Sequence, residues 1–108
     1  MLSKIIKNKR KEIELNKKNF PLHSFKNKLK SSKRDFKKAL SGNGLSLIAE
    51  IKRKSPSRKV AIDDFDIRKT AKIYGRYADA ISVLTDKKFF DGSLADLKIV
   101  SNLTKLPI

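Results

Sequence analysis

A chain of 108 residues with 39% apolar residues, 35% charged residues and no cysteine has enough hydrophobes, in recurring blocks, for one small packed domain. The lack of cysteine excludes a disulfide framework, a thiolate metal site and a thiol nucleophile. The formal net charge of +16 raises polyanions as partners, but it is uneven: residues 1–60 hold 19 Lys and Arg against 4 acids, and residues 61–108 hold 8 against 7.

That charge is rich in lysine and poor in the arginine forks that read phosphates and bases, and it comes with no finger spacing, aromatic RNA-binding signature or recognition helix. Weak, salt-sensitive, nonspecific adhesion to nucleic acid is therefore expected, and specific binding is not. The opening Met1-Leu2-Ser3-Lys4-Ile5-Ile6-Lys7 mixes charges with hydrophobes and has no signal-peptide core. No apolar stretch approaches the roughly 20 residues that span a bilayer. A cytoplasmic protein without a membrane partner is the expectation.

In chain order, Ile5, Ile6, Ile13 and Leu15 mark a ragged helix over residues 3–18, interrupted by Phe20-Pro21. Leu22, Phe25 and Leu29 suggest a second short helix. Phe36, Ala39 and Leu40 suggest a third, which Ser41-Gly42-Asn43-Gly44 terminates. Residues 1–44 thus read as a helical extension ahead of a second region, 45–108.

At Leu45-Ser46-Leu47-Ile48-Ala49-Glu50-Ile51 the pattern becomes a nearly continuous apolar run, as in a parallel strand covered on both faces. A polar loop with Ser55-Pro56-Ser57 and Asp63-Asp64 follows. Asp66 then caps a helix whose inner face is Ile67, Ala71, Tyr74 and Ala78. Ala80-Ile81-Ser82-Val83-Leu84 reads as the next strand. Ser93 and Asp96 form a capping box for a helix striped by Leu94, Leu97, Val100 and Leu103, and Leu106-Pro107-Ile108 reads as the onset of a third strand. The order strand, helix, strand, helix, strand is that of an α/β fold with parallel pairing, and stopping at a strand onset reads as a fragment.

Alternation along the first strand puts Ile48, Glu50 and Lys52 on one side and Leu47, Ala49 and Ile51 on the other. The second set is expected to meet the helices. The first becomes charged at the C-terminal end of the strand, where α/β folds place ligands. A Glu and a Lys two residues apart are expected about 6–7 Å apart, too far for a good ion pair but suited to flanking an anionic, proton-exchanging substrate. The alternative is a strand ending one residue earlier, with Lys52 opening a solvated Lys52-Arg53-Lys54 run. Ser55 and Ser57 are anion donors held by Pro56, or simply a turn. Phe89-Phe90 is a lid over the helices or a wall for an aromatic ligand. His23, remote in sequence from any acidic or serine partner, reads as structural.

Three blocks, Leu47-Ile48-Ala49-Glu50-Ile51-Lys52-Arg53-Lys54-Ser55-Pro56-Ser57, Asp64-Phe65-Asp66 and Ala80 through Ser93, closely resemble indole-3-glycerol-phosphate synthase. The opening most resembles the enterobacterial type fused to phosphoribosylanthranilate isomerase. The resemblance implies the N-terminal portion of a TIM (β/α)₈ barrel with an extra N-terminal helical segment. It also implies conversion of 1-(2-carboxyphenylamino)-1-deoxyribulose 5-phosphate to indole-3-glycerol phosphate, CO₂ and water, with no metal or organic cofactor.

Matched to the family motif, Glu50 takes the place of the catalytic first-strand glutamate and Lys52 that of the lysine that binds the substrate's anionic groups. Ser55 falls on the serine that contacts substrate, and Phe90 on an aromatic lining the anthranilate pocket. The family's third-strand lysine, fourth-strand glutamate and phosphate loops would lie past Ile108, so the chain alone is expected to be inactive. The remaining strands, and an isomerase domain, would be its partners. Arg58-Lys59 departs from the usual Lys-Gly, which puts the closure of that loop in doubt.

Overall fold

The computed structural model describes residues 1–57 and 65–108; Arg58-Lys59 and Asp63-Asp64 lie outside the described residues. The chain forms two compact units, Met1–Ser32 and Lys33–Ile108.

The first unit opens with α1 (Leu2–Asn19), one residue longer at each end than the hydrophobic spacing predicts. Its apolar residues are too sparse among lysines to bury a stripe, and none of the helix is buried. Asn8 and Lys9 both donate to the Glu12 carboxylate one turn on. The helix ends at Phe20 (φ −134°, ψ 70°), since a residue before proline is driven out of the α region. Leu22–Ser24 and Lys26–Lys28 form two 3₁₀ turns instead of the single short helix expected. The spacing of three between Leu22 and Phe25 is also the period of a 3₁₀ turn.

In the second unit, Asp35 caps α2 (Phe36–Ala39) by accepting from the Lys38 N–H at 2.9 Å. Arg34 donates to the carbonyls of Ser101 (2.9 Å) and Leu106 (3.2 Å). Two parallel strands follow, β1 (Ile48–Ile51) and β2 (Ala80–Val83), in the register Ile48↔Ala80 to Ile51↔Val83. Between them runs α3 (Ile67–Tyr77), capped by Asp66 as the sequence predicts, with Oδ1 accepting from the N–H groups of Arg68 and Lys69. After β2 come the single turn α4 (Lys87–Phe90) and then α5 (Leu94–Leu103), where the Ser93 hydroxyl accepts from the Asp96 N–H at 3.1 Å.

The core lies where α3 and α5 cover one face of the sheet: Ile51, Ile67, Ala71, Ile81 and Val100 are buried, with Tyr74, Val83, Ile99 and Leu103 packed around them. The inner face of α3 is the predicted one at Ile67, Ala71 and Tyr74, while Ala78 lies past the end of the helix. In α5 it is rotated: Leu94 is exposed, and the buried line begins at Asp96 and continues at Val100.

Leu45 and Leu47 are exposed, so the first strand is shorter than its apolar run, and only its last odd-numbered member, Ile51, is fully buried. The Leu47 N–H is instead taken by the Asp79 carboxylate at 2.8 Å. At the third strand, the Ile81 N–H donates to the Pro107 carbonyl at 3.0 Å. Odd-numbered β2 amides face away from β1, so this bond lies on the far edge of β2, although no strand is formed by Leu106–Ile108. The unit is the βαβα opening of a (β/α)₈ barrel, preceded by a helical segment. No described helix is long and apolar enough to cross a membrane.

Candidate active site

Strand alternation turns Ile51 into the helices and Glu50 to the opposite face, beside Ser82 of β2 in the parallel register. This face is open: Ile48 is 46% exposed, and the side chains of Glu50 and Lys52 are 44% and 41% exposed. Lys52 Nζ lies 3.0 Å from Glu50 Oε1. The backbone separation expected from the strand rise does not keep the two charges apart, because long side chains on one face lean along the strand and meet at their tips. The same ammonium sits 5.9 Å from the centroid of the Phe90 ring, within reach of a cation–π attraction.

Phe90 is placed there by α4. Asp86 accepts from the Phe89 N–H at 2.7 Å to start the turn, and Asp91 (φ 53°, ψ 28°) ends it in the left-handed region, which a short polar residue tolerates. The Phe90 carbonyl then accepts from the Lys54 N–H at 3.3 Å, joining the loop after β2 to the exit of β1. Lys87 pairs with Asp91 and holds that exposed carboxyl below its ordinary range. Gly92 is set so close to β2 that a Cβ would fall 1.9 Å from the Leu84 carbonyl oxygen.

The structure therefore brings Glu50, Lys52 and Phe90 together at the C-terminal ends of the strands. Ser55 is half-buried in the following loop, where its hydroxyl meets that of Ser57 at 3.1 Å. Phe89 and Phe90 are half-buried in a helical turn. His23 is exposed on a 3₁₀ turn of the first unit.

One pair at this end was not singled out by sequence reasoning. Arg53 Nε and Nη2 donate to the Asp96 carboxylate at 2.8 and 2.7 Å, and the guanidinium stacks 5.4 Å from the Phe65 ring. Asp96 is 5% exposed. Its hydrogen bonds from Arg53 hold its carboxyl below the ordinary aspartate value, against the opposing effect of burial, with Ser93 assisting. The signal was present in the i, i+4 spacing of Asp96 and Val100, which puts the carboxylate on the buried line of α5.

Two open cavities, about 450 and 350 Å³, lie at the opposite end of the sheet. They are lined by Arg34, Lys72, Arg76, Thr104 and Lys105 where α3 and α5 end. Ligands of α/β folds gather at the other end, beside Glu50.

Residues 2–108 match the family profile described as indole-3-glycerol phosphate synthase. The whole chain is 45% identical to the tryptophan biosynthesis protein TrpCF of Salmonella typhi and 44% identical to that of Buchnera aphidicola subsp. Diuraphis noxia, and covers 24% of each. It is 40% identical to the indole-3-glycerol phosphate synthase of Thermoanaerobacter pseudethanolicus, covering 42% of it. The chain thus spans between about a quarter and two fifths of these relatives. With a profile match over nearly every residue and a parallel βαβα unit, the chain belongs to the indole-3-glycerol phosphate synthase family.

Proposed function

We propose that this chain supplies the first-strand catalytic carboxylate and anion-binding lysine of a synthase that forms indole-3-glycerol phosphate. Its substrate would be 1-(2-carboxyphenylamino)-1-deoxyribulose 5-phosphate. In the reaction the aromatic carbon that bears the carboxylate bonds to the ketone carbon, the carboxylate leaves as CO₂, and the ketone oxygen leaves as water. That sequence needs a proton donor for the departing oxygen, a proton acceptor, and fixed positive charge against carboxylate and phosphate.

Glu50 has the carboxylate to accept a proton or to face positive charge developing on the ring nitrogen. Lys52 has the fixed charge, Phe90 a ring to wall the anthranilate, and Ser55 a hydroxyl for the substrate's oxygens. The observation that carries the reading is the meeting of Lys52 with both Glu50 (3.0 Å) and Phe90 (5.9 Å) at the ligand-binding end of β1. The proton donor for the departing oxygen is assigned to a lysine on the third strand. The remaining strands are proposed to complete the barrel, with an isomerase domain fused to it. The 45% and 44% identity to the Salmonella and Diuraphis noxia Buchnera TrpCF proteins, against 40% to the Thermoanaerobacter synthase, supports that arrangement.

The test is a chimera in which residues 1–108 replace the matching segment of the Salmonella relative, assayed for indole-3-glycerol phosphate by its indole fluorescence. The chimera is expected to turn over. Glu50→Gln should lower kcat by at least about 100-fold with the fold preserved, and Lys52→Ala should raise KM strongly, since charge-assisted contacts to a bound anion exceed surface pairs. An active chimera in which both variants stay within about threefold of the parent overturns the assignment, because uncoupled groups give no larger change.

A further inference from the structure

We propose that Arg53 and Asp96 act as a positioning pair for Lys52. They would lock the exit of β1 to α5 so that the lysine ammonium is held in register with Glu50 and Phe90. The proposal rests on the reading of Lys52 as the substrate's anion-binding group and adds to it two residues that touch no reacting atom.

Beyond Ile51, whose carbonyl accepts from the Leu84 N–H at 3.1 Å, the chain leaves the β1–β2 ladder. The next three residues carry Lys52 with the strand no longer paired along them. Arg53 follows Lys52 and projects to the opposite, helix-covered side, where both of its bonded N–H groups meet one carboxylate in a planar fork. Asp96 is buried on the inward line of α5, next to the cap made by Ser93. A buried carboxylate persists when its charge is matched and its oxygens are bonded, and here both oxygens receive an Arg53 N–H.

Phe65, at the entrance to α3, stacks on the same guanidinium, so one side chain ties together the exit of β1, the approach to α3 and the first turn of α5. One residue further, the Lys54 N–H bonds the Phe90 carbonyl. Lys52 is therefore bracketed by the ladder before it and by two anchors after it. One anchor leads to α5 and the other to the segment that carries Phe90. Loosening the fork frees the peptide of Lys52 to rotate, and a displacement near 1 Å at a charge that orients substrate is costly.

The experiment uses the same chimera, with residues 1–108 in place of the matching segment of the Salmonella relative. Asp96→Asn keeps the shape and removes the charge, and Arg53→Lys keeps the charge and removes the fork. Leu94→Ala, exposed on the same helix, is the control. At a temperature where circular dichroism shows every variant folded, Asp96→Asn and Arg53→Lys are each expected to lower kcat/KM by about tenfold or more, mainly through KM.

In protein labelled with ¹³C at the lysine ε-carbon, the Lys52 signal is assigned by its loss in Lys52→Arg. Its ring-current shift is expected to fall in both variants toward the value in Phe90→Leu. Leu94→Ala should move neither readout. Folded variants that keep both kcat/KM within twofold and the Lys52 shift overturn the positioning role. If Asp96→Asn fails to fold, Arg53→Lys, which leaves a positive charge at the buried carboxylate, decides on the same two readouts. If the parent chimera is inactive while the Lys52 shift still depends on Asp96, the proposed function fails and the positioning stands.

Discussion

Replacing Gly92 with alanine tests how tightly the loop that presents Phe90 is built onto β2. The added methyl would lie 1.9 Å from the Leu84 carbonyl oxygen, 2.8 Å from its carbon and 3.0 Å from Thr85 Cα. All three are backbone atoms, so no rotamer change relieves the clash. An ordinary carbon–oxygen contact is about 3.3 Å, so the backbones must separate by more than about 1 Å. The constraint is space and not backbone angle, since among the described residues Gly44 is the only glycine with positive φ.

The segment that must move carries the Gly92 N–H bond to Asp86 O at 2.8 Å and the Lys54 N–H bond to Phe90 O at 3.3 Å. Stranding such groups costs about 1–3 kcal/mol each, and forced overpacking about 1–3 more, which for the two bonds together gives roughly 3–9 kcal/mol. A unit the size of Lys33–Ile108 is worth about 4–11 kcal/mol in all, so the variant should lose most of its stability. Urea unfolding followed by circular dichroism is expected to show a lower midpoint with an unchanged slope. A loss below about 1 kcal/mol would refute the reasoning, because the strand and loop would then have room to part freely.

Val100→Ala, at a fully buried site on α5, should cost about 2 kcal/mol, while Leu94→Ala should stay within about 0.5 kcal/mol; equal effects in thermal melts would contradict the rotated inner face of that helix. The Asp96 carboxyl has its folded pKa depressed, first by the hydrogen bond from Arg53. Its contribution is therefore present above the unfolded value near pH 4 and lost as pH falls through the lower folded value. Urea midpoints from about pH 5 down to pH 2 should fall less steeply for Asp96→Asn than for the parent, and parallel curves would count against this. Duplex DNA binding driven by the net +15 of residues 1–60 should weaken at least about tenfold between roughly 50 and 200 mM salt without sequence preference, and selective binding that survives the higher salt would refute it.

Much of the second unit was legible because its signals are local. Asp66 and Ser93 bond their own helix N-termini, and such bonds depend on a few neighbouring residues. The face of Glu50 and Lys52 followed from strand alternation. What local pattern could not show was what each face meets. Leu45 and Leu47 are as apolar as a core strand, yet Leu45 is fully exposed and Leu47 half exposed, both ahead of the paired register that begins at Ile48. By hydropathy Leu94 belongs on the stripe of α5 and Asp96 does not, yet Leu94 is exposed and Asp96 buried. The placement of the buried carboxylate depends on Arg53, 43 residues earlier in the chain, and no periodicity reports a partner at that distance. The Glu50–Lys52 contact was missed for a different reason: strand rise sets the spacing of Cβ atoms, while two long side chains set the spacing of charges.

That contact has a consequence for how the proposed site handles an anion. Lys52 and Glu50 are both nearly half exposed, and an exposed ion pair of this kind is worth about 0–1 kcal/mol. A phosphate or carboxylate entering beside Lys52 has little to overcome in drawing the ammonium away from Glu50. Closure of further strands over this face would exclude water and strengthen whichever pairing then exists. On the proposed function, the pair would neutralise itself while the face is open and would be released by an arriving anion, leaving Glu50 without its ion-pair partner. The backbone anchors at Arg53 and Lys54 would keep Lys52 within reach of both partners while it exchanges them.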